Sequence, residues 1–267
     1  MGKTNIPWAD YVWNPTVGCT KVSLGCKNCY AERYFHRFHP EEKFSEVKCM
    51  PERLDLPLHW KKPRMIFMDS VSDLFHEDVP SLFIDQVFET IHLAWWHTFI
   101  ILTKRSERMY DYVSQRYLPN QRIVLPNVWL LTSIEDQPTA DERLPWLLKT
   151  PASIRGVSVE PMLGPVDLSP KDHLTELISP WYSKNGFDPS ASQKVIDRDH
   201  WLFPKIDWVI AGCESGPGAR PMELDWARNL RDQCQAARVP FFLKQAVING
   251  KMVKMPELDG KVWDEIP

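Results

Sequence analysis

The sequence predicts an α/β fold, a partial or closed (β/α) barrel of about six to seven parallel strands. Three observations predict it. Short, continuous apolar runs recur along the chain, each run ends in a cluster of polar residues, and most clusters open onto a stretch with helical spacing of apolar positions. Runs that are apolar at every position mark strands covered on both faces, as parallel strands are, and strand–helix–strand repeats join through right-handed crossovers. The 267 residues suit one core with decorations, so residues 1–267 read as one domain. About seven β/α units favour a barrel over a flat, doubly wound sheet, and the lack of a glycine-rich dinucleotide fingerprint or phosphate-loop motif counts against nucleotide-phosphate chemistry.

Residues 6–13 read as the first strand, stopped by Asn14-Pro15. After the segment 18–30, residues 30–38 read as a helix with aromatics at Tyr30, Tyr34 and Phe38. Residues 39–63 are polar and punctuated by prolines, and read as surface chain. The second strand is 65–68, with the tip 69–73 and a helix carrying Phe83, Val87, Phe88 and Ile91. The third is 99–102, with the tip Thr103-Lys104-Arg105 and a helix through Met109 and Val113. Strands follow at 128–131 with the tip 132–136, at 154–159 with Glu160-Pro161, at 208–211 with 212–216, and at 239–243 with Lys244-Gln245. Residues 167–204, rich in Ser, Pro, Asp and Lys, read as an insertion between the fifth and sixth strands.

Composition narrows the classes. A hydrophobic fraction of 43% with 25% charged residues is that of a globular protein, and the apolar runs are too short to cross a bilayer, so no membrane partner is expected. No targeting peptide is visible, so the expected location is the cytoplasm, or the host cytoplasm for a phage-encoded chain, where thiols stay reduced. A net charge of -3 argues against a general nucleic-acid coat and leaves room for a local basic groove. Most of the twelve tryptophans sit in or beside apolar segments and read as core rather than as base-stacking platforms.

The richest stretch is the loop after the first strand. Cys19, Cys26 and Cys29 fall within it, the last two as a C-x-x-C pair, and Gly18 and Gly25 precede the first two. Thiolates are soft ligands for zinc or for iron–sulfur iron, and three of them leave a coordination position open, which suits chemistry. The alternatives are a structural zinc site completed by His36, His39 or Cys49, within a non-catalytic zinc- or cluster-containing module that binds nucleic acid or protein, and a disulfide framework, which the length and the lack of a secretory signal disfavour. Cys213 and Cys234 read as buried core.

In parallel β/α architectures ligands sit beyond the carboxyl ends of the strands. That rule gathers Asp69, Ser70, Ser72, Asp73, Lys104, Arg105, Thr132, Ser133, Glu135, Glu160, Glu214, Ser215, Lys244 and Gln245 around one mouth, with the cysteine loop on its rim. The plainer readings are that Asp73, Asp78 and Asp136 cap the helices that follow and that Lys104 and Arg105 are an exposed charge pair. A metal-independent barrel enzyme would use Glu160, Glu214 or Lys244 as acid or base.

A cysteine triad after the first strand of a β/α barrel resembles the radical S-adenosylmethionine enzymes. The spacing here is C-x-x-x-x-x-x-C-x-x-C rather than C-x-x-x-C-x-x-C, and the aromatic Tyr30 follows the last cysteine instead of preceding it. The chain more closely resembles a three-cysteine group of phage and bacterial proteins, the phage Gp37/Gp68 type. The matching blocks are W-N-P-x-x-G-C (13–19), G-C-x-x-C-Y-A (25–31), S-x-S-D-L-F (70–75), L-T-K-R (102–105), T-S-x-E-D-Q (132–137), S-x-E-P-x-L-G-P-V-D-L (158–168) and E-S-G-P-x-A-R-P-M (214–222).

The resemblance implies a 4Fe-4S cluster on Cys19, Cys26 and Cys29, with S-adenosylmethionine on the remaining iron. It puts Ser70, Ser72 and Asp73 at the methionine amino group, Ser133 and Glu135 at the ribose, and Tyr30 and Thr132 beside the cofactor. It also implies hydrogen abstraction by a 5'-deoxyadenosyl radical, with Lys104, Glu160, Glu214 and Lys244 as catalytic candidates and a flavodoxin- or ferredoxin-like reductant. Lys104, Arg105, Arg220 and Lys244 would face an anionic substrate. Phage relatives point to a modified DNA base or nucleotide, as in a rearrangement or isomerisation in thymine hypermodification.

Overall fold

The computed structural model describes residues 2–116, 125–169 and 206–267. The apolar runs form parallel strands: β2 (Tyr11–Trp13) follows a short β1 (Gly2–Lys3), and a two-stranded ribbon of β3 (Thr16–Val17) and β4 (Lys48–Cys49) brackets α1 (Tyr30–Phe38). Then come β5 (Met65–Met68), α2 (Ser81–Leu93), β6 (Thr98–Thr103), α3 (Ser106–Arg116), β7 (Val128–Ile134), α4 (Gln137–Lys149) and β8 (Ile154–Val159). After residue 206 the chain forms β9 (Trp208–Gly212), α5 (Leu224–Ala237), β10 (Phe241–Ile248), β11 (Lys251–Lys254) and a small hairpin of β12 (Glu257–Leu258) and β13 (Lys261–Val262).

The sheet order is β1-β2-β5-β6-β7-β8-β9-β10-β11. Seven strands, β2 and β5 to β10, pair in parallel and in sequence order, while β1 and β11 add antiparallel edges. The order never reverses, so the sheet is wound in one sense and the helices share one side. The cores say the same. One parity of strand residues (Ile66, Met68, Phe99, Ile101, Leu130, Val157, Val209, Phe241) packs with Ile84, Val87, Met109, Leu144 and Leu230 of the helices. The other parity (Phe67, Ile100, Leu131, Trp208, Ile210, Phe242) packs on Trp8, in a cluster whose buried members include no helix residue.

The edges approach one another. Lys254 Nζ of β11 donates to the Asn5 carbonyl beside β1 at 3.0 Å, whereas eight flat strand spacings would hold the edges about 38 Å apart. The sheet is therefore curled around the second core. Among the described residues no hydrogen-bonded ladder joins its ends, so the barrel is partial. Its floor is plugged by Trp8, whose ring lies 4.8 Å from Phe67 and 5.9 Å from Trp208 in edge-to-face contacts.

Four expectations are corrected. The first strand is confined to Tyr11–Trp13, because residues before it turn (Ala9 N–H to the Ile6 carbonyl, 3.2 Å) to drop Trp8 into the floor. Residues 39–63 are not loose surface chain: Phe44 is buried, β4 pairs with β3, and the Arg53 carbonyl accepts the Trp13 indole N–H at 2.8 Å. Strands β7 and β10 run on past their apolar runs, so Thr132, Ser133, Lys244 and Gln245 lie within strands rather than in tips. Asp78 does not cap α2, which begins after Pro80, whereas Asp136 does cap α4 in a reciprocal box with Thr139. The insertion expected at 167–204 falls outside the described residues beyond Ser169. No helix among the described residues is long and apolar enough to cross a membrane.

Trp8→Ala, by emptying the floor, is expected to cost about 3–5 kcal/mol. Urea unfolding measures this; an unchanged midpoint would show that the floor does not depend on the plug.

Candidate functional site

The cysteine loop is seated by backbone. Gly18 has φ of 96°, and a Cβ there would lie 2.6 Å from the Glu46 carbonyl oxygen and 2.8 Å from that of Phe44. Its N–H donates to the Val71 carbonyl at 3.1 Å, and the Cys19 N–H donates to the Phe44 carbonyl at 2.8 Å. The loop then makes a short 3-10 turn at Leu24–Cys26, and Cys29 is the N-cap of α1. All three cysteines are free and half-buried.

Arg105, at the β6 tip, ties this loop to the sheet. Nε donates to Glu77 at 2.7 Å, and one terminal nitrogen reaches Asp73 at 3.1 Å and the Cys19 sulfur at 3.6 Å. The other terminal nitrogen donates to the Thr20 hydroxyl at 2.8 Å. His76 meets the same hydroxyl at 2.7 Å through Nε2, while its Nδ1 accepts the Asp78 N–H at 3.1 Å, which assigns the proton to Nε2. Burial and the Arg105 charge lower the His76 pKa. Burial would raise the Glu77 pKa, but the Arg105 hydrogen bond, a backbone N–H and the Arg105 charge together hold it at about 2. Burial, followed by the Asp73 charge, pushes the Cys19 thiol up to about 12, against the pull of Arg105.

Alternation along the strands sets what faces the mouth. Above Phe67, Ile100 and Leu131, the concave side presents Lys104, Ser133, Glu135, Ser158, Glu160 and Lys244. Glu135, buried after β7, is bonded by Lys104 Nζ and accepts from Arg143 of α4 at 3.2 and 3.3 Å. Gly25 of the cysteine loop lies directly on this carboxylate, where a Cβ would stand 2.6 Å from Glu135 Cδ. Glu160 accepts from Lys244 at 2.6 Å and Gln245 at 3.3 Å, the two brought together by a bulge in β10. Glu214 accepts from Asn28 at 2.9 Å and from Arg220 at 2.5 to 3.0 Å; burial would raise its pKa, but these bonds hold it at about 2. Asn28 thereby ties the cysteine loop to the far bank of the mouth.

The predicted residues therefore divide. The three cysteines, Lys104, Ser133, Glu135, Glu160, Glu214 and Lys244 share the carboxyl end of the sheet. Thr132 does not join them: it alternates with Leu130 and Ile134 toward the helices, and its hydroxyl donates to the Thr103 carbonyl at 3.1 Å. Asp73 accepts from Phe75 N–H, the Thr103 hydroxyl, Lys104 N–H and Arg105. The Ser72 hydroxyl bonds Asp69 at 2.8 Å, the Ser70 hydroxyl bonds Asn14 at 3.1 Å, and the Tyr30 hydroxyl donates to the Ser70 carbonyl at 2.6 Å. Arg143, Asn28, His76 and Thr20 were not marked from sequence. Arg143 carried a signal, since Ala140, Arg143, Leu144 and Leu147 follow helical spacing on the buried side of α4.

The donor set can be tested against a metal group. A four-ligand zinc ion needs its donors around one point, and among the described residues no three His, Cys, Asp or Glu side chains are so gathered. His39, one suggested fourth ligand, is bonded to Glu42 at 2.9 Å and stacked on Phe35 at 4.9 Å. A cubane makes a different demand, because each thiolate takes a different iron. Cys19, Cys26 and Cys29 are free thiols on one loop, with the Arg105 N–H 3.6 Å from the Cys19 sulfur, and thiols are the donor type such a group takes.

The fold and site define an α/β protein with a curled, mostly parallel sheet and a three-cysteine loop at the carboxyl end of its strands. Residues 3–267 match the family described as "Protein of unknown function (DUF5131)", and the chain belongs to it. No curated protein sequence matches the chain. Among solved structures it is similar to a mutant of spore photoproduct lyase, at 12% identity and a TM-score of 0.45, covering 93% of this chain and 68% of that one. It is similar also to spore photoproduct lyase complexed with dinucleoside spore photoproduct, at 10% identity and 0.43, with the same coverage.

Two outcomes are expected. Arg143→Met leaves the buried Glu135 with one cation fewer and should cost about 3–5 kcal/mol by urea unfolding; a change below about 1 kcal/mol would mean that Lys104 alone neutralises the carboxylate. Asp69 is buried at the β5 tip, with Oδ1 taken by Thr16 and Ser72 and Oδ2 without a partner among the described residues, and burial raises its pKa from 3.8 to about 7. A pKa raised in the folded state stabilises below the unfolded value and loses that contribution as pH rises toward 7, by at most about 4 kcal/mol. Asp69→Asn should therefore flatten the fall in stability between pH 4 and 7, and parallel pH–stability curves for variant and parent would refute it.

Proposed function

We propose that this protein is a radical S-adenosylmethionine enzyme in which Cys19, Cys26 and Cys29 hold a 4Fe-4S cluster, S-adenosylmethionine binds beside it, and an anionic substrate occupies the mouth. One observation carries the reading: the cysteine loop is fastened across the carboxyl end of the sheet, to β6 through Arg105, to Glu135 through Gly25 and to Glu214 through Asn28. When bound and reduced, the cluster supplies the electron that splits S-adenosylmethionine and yields a 5'-deoxyadenosyl radical for hydrogen abstraction.

The chain's own residues supply binding and orientation. Lys104 and Lys244 are tethered by Glu135 and Glu160 while 19% and 17% of their side chains remain exposed, so each presents a fixed cation to the mouth. Lys104 and Arg143 share the one carboxylate Glu135, so that cluster keeps a net positive charge, which supports an anionic substrate. Ser133 and Ser158 lie side by side on the same face and add hydroxyls between the two lysines. Ser70, Ser72 and Asp73 act in this reading by shaping the β5 tip around the cofactor rather than by offering free side-chain oxygens. Within that class, the motif blocks favour a modified DNA base or nucleotide and a rearrangement such as occurs in thymine hypermodification, in a reducing cytoplasm with a flavodoxin- or ferredoxin-like electron donor.

Anaerobic reconstitution with iron and sulfide is expected to give brown protein that releases 5'-deoxyadenosine from S-adenosylmethionine on reduction, and Cys26→Ala is expected to lose both. Colourless protein with tightly held zinc, released by substituting His36, His39 or Cys49, would overturn the reading in favour of a non-catalytic binding module.

A further inference from the structure

We infer that Arg105 sets the reduction potential of the cluster through the Cys19 sulfur; the inference rests on the cluster reading above. Arg105 is a side chain with almost no freedom: 8% of it is exposed, and its donors are spread over Glu77, Asp73, Thr20 and Cys19. The planar guanidinium holds those directions together. The Thr20 hydroxyl that anchors one arm is itself fixed by His76. With Nε held by Glu77, one terminal nitrogen by Thr20 and one N–H of the other by Asp73, the last N–H is directed to sulfur, 3.6 Å away.

The three thiols are not equivalent in this respect. The polar neighbour of Cys26 is the neutral Ser23 hydroxyl at 3.9 Å, and the nearby cation Lys21 is engaged by Glu32 at 2.9 Å. Hydrogen bonds to ligand sulfur and the net charge around a cluster are two of the quantities that set its potential. A cationic N–H donor favours the more negative, reduced state. Arg105 therefore raises the potential and does so at one ligand only. It is a positioning residue: it acts through Cys19 and need not touch substrate.

The test is anaerobic reconstitution of the full-length protein and of Arg105→Gln, Arg105→Lys and Thr20→Val, with iron and sulfide counted and the midpoint read by a dithionite titration followed by electron paramagnetic resonance. The reduction adds one electron and no proton. Arg105→Gln should retain iron and sulfide while its ratio of reduced to oxidised cluster, at the parent midpoint, drops at least tenfold, equivalent to about 59 mV for one electron. Arg105→Lys keeps the charge but not the fork and should fall between; it carries the test alone if Arg105→Gln does not fold. Thr20→Val frees one arm of the guanidinium without deleting the N–H and should move the ratio in the same direction but by less than Arg105→Gln. Loaded Arg105 variants with the parent midpoint overturn this inference and leave the cluster reading standing, and so does a Thr20→Val shift as large as that of Arg105→Gln. A parent protein that takes up neither iron nor sulfide defeats both.

Discussion

A single buried carboxylate, Asp73, organises the carboxyl end of the sheet. It receives the Phe75 N–H from its own turn, the Thr103 hydroxyl and Lys104 N–H from the β6 tip, and the Arg105 guanidinium. An ionised group out of water is tolerated when its lone pairs are answered in this way, and a partner removed leaves the charge uncompensated. Two neighbouring tips are thus held in one register, and Arg105, fixed by that register, extends it to the cysteine loop. The site is assembled from segments far apart in sequence through one short chain of polar contacts.

The concave face changes character along its length. Near the floor it is Trp8, Phe67, Ile100 and Trp208; toward the carboxyl ends of the strands it is Lys104, Glu135, Glu160 and Lys244. Both halves obey the same alternation, since a strand offers every second residue to one side. What differs is compensation: the apolar end gains by leaving water, while at the polar end Glu135 is matched to Lys104 and Arg143, Glu160 to Lys244 and Glu214 to Arg220. The floor excludes solvent and thereby strengthens those pairs.

Much of this was legible in the amino-acid order. Apolar runs at 65–68, 99–102, 128–131, 154–159 and 208–211 lie in parallel strands, because such runs demand cover on both sides. Edge strands were missed because β1 has two residues and β11 is Lys-Met-Val-Lys; yet Asn249-Gly250 between β10 and β11, with φ of 50° and 73°, is a turn pair a closer reading would have marked. Which polar residues face the mouth depended on where strands end. Thr132 was grouped with Ser133 on the assumption that the strand stopped at Leu131; its continuation to Ile134 sends the two to opposite sides. Contacts such as His76 with Thr20, or Asn28 with Glu214, join residues 56 and 186 positions apart, and no local pattern announces them.

The contact between Gly25 and the Glu135 carboxyl has a consequence for how this chain can vary. Any side chain at 25 would have to evict the acid beneath it, and shortening the acid would strand Lys104 and Arg143 without their counterion. Descendants of this sequence can alter the rim or the charge pair only by altering both at once, so the two positions should be inherited as a couple.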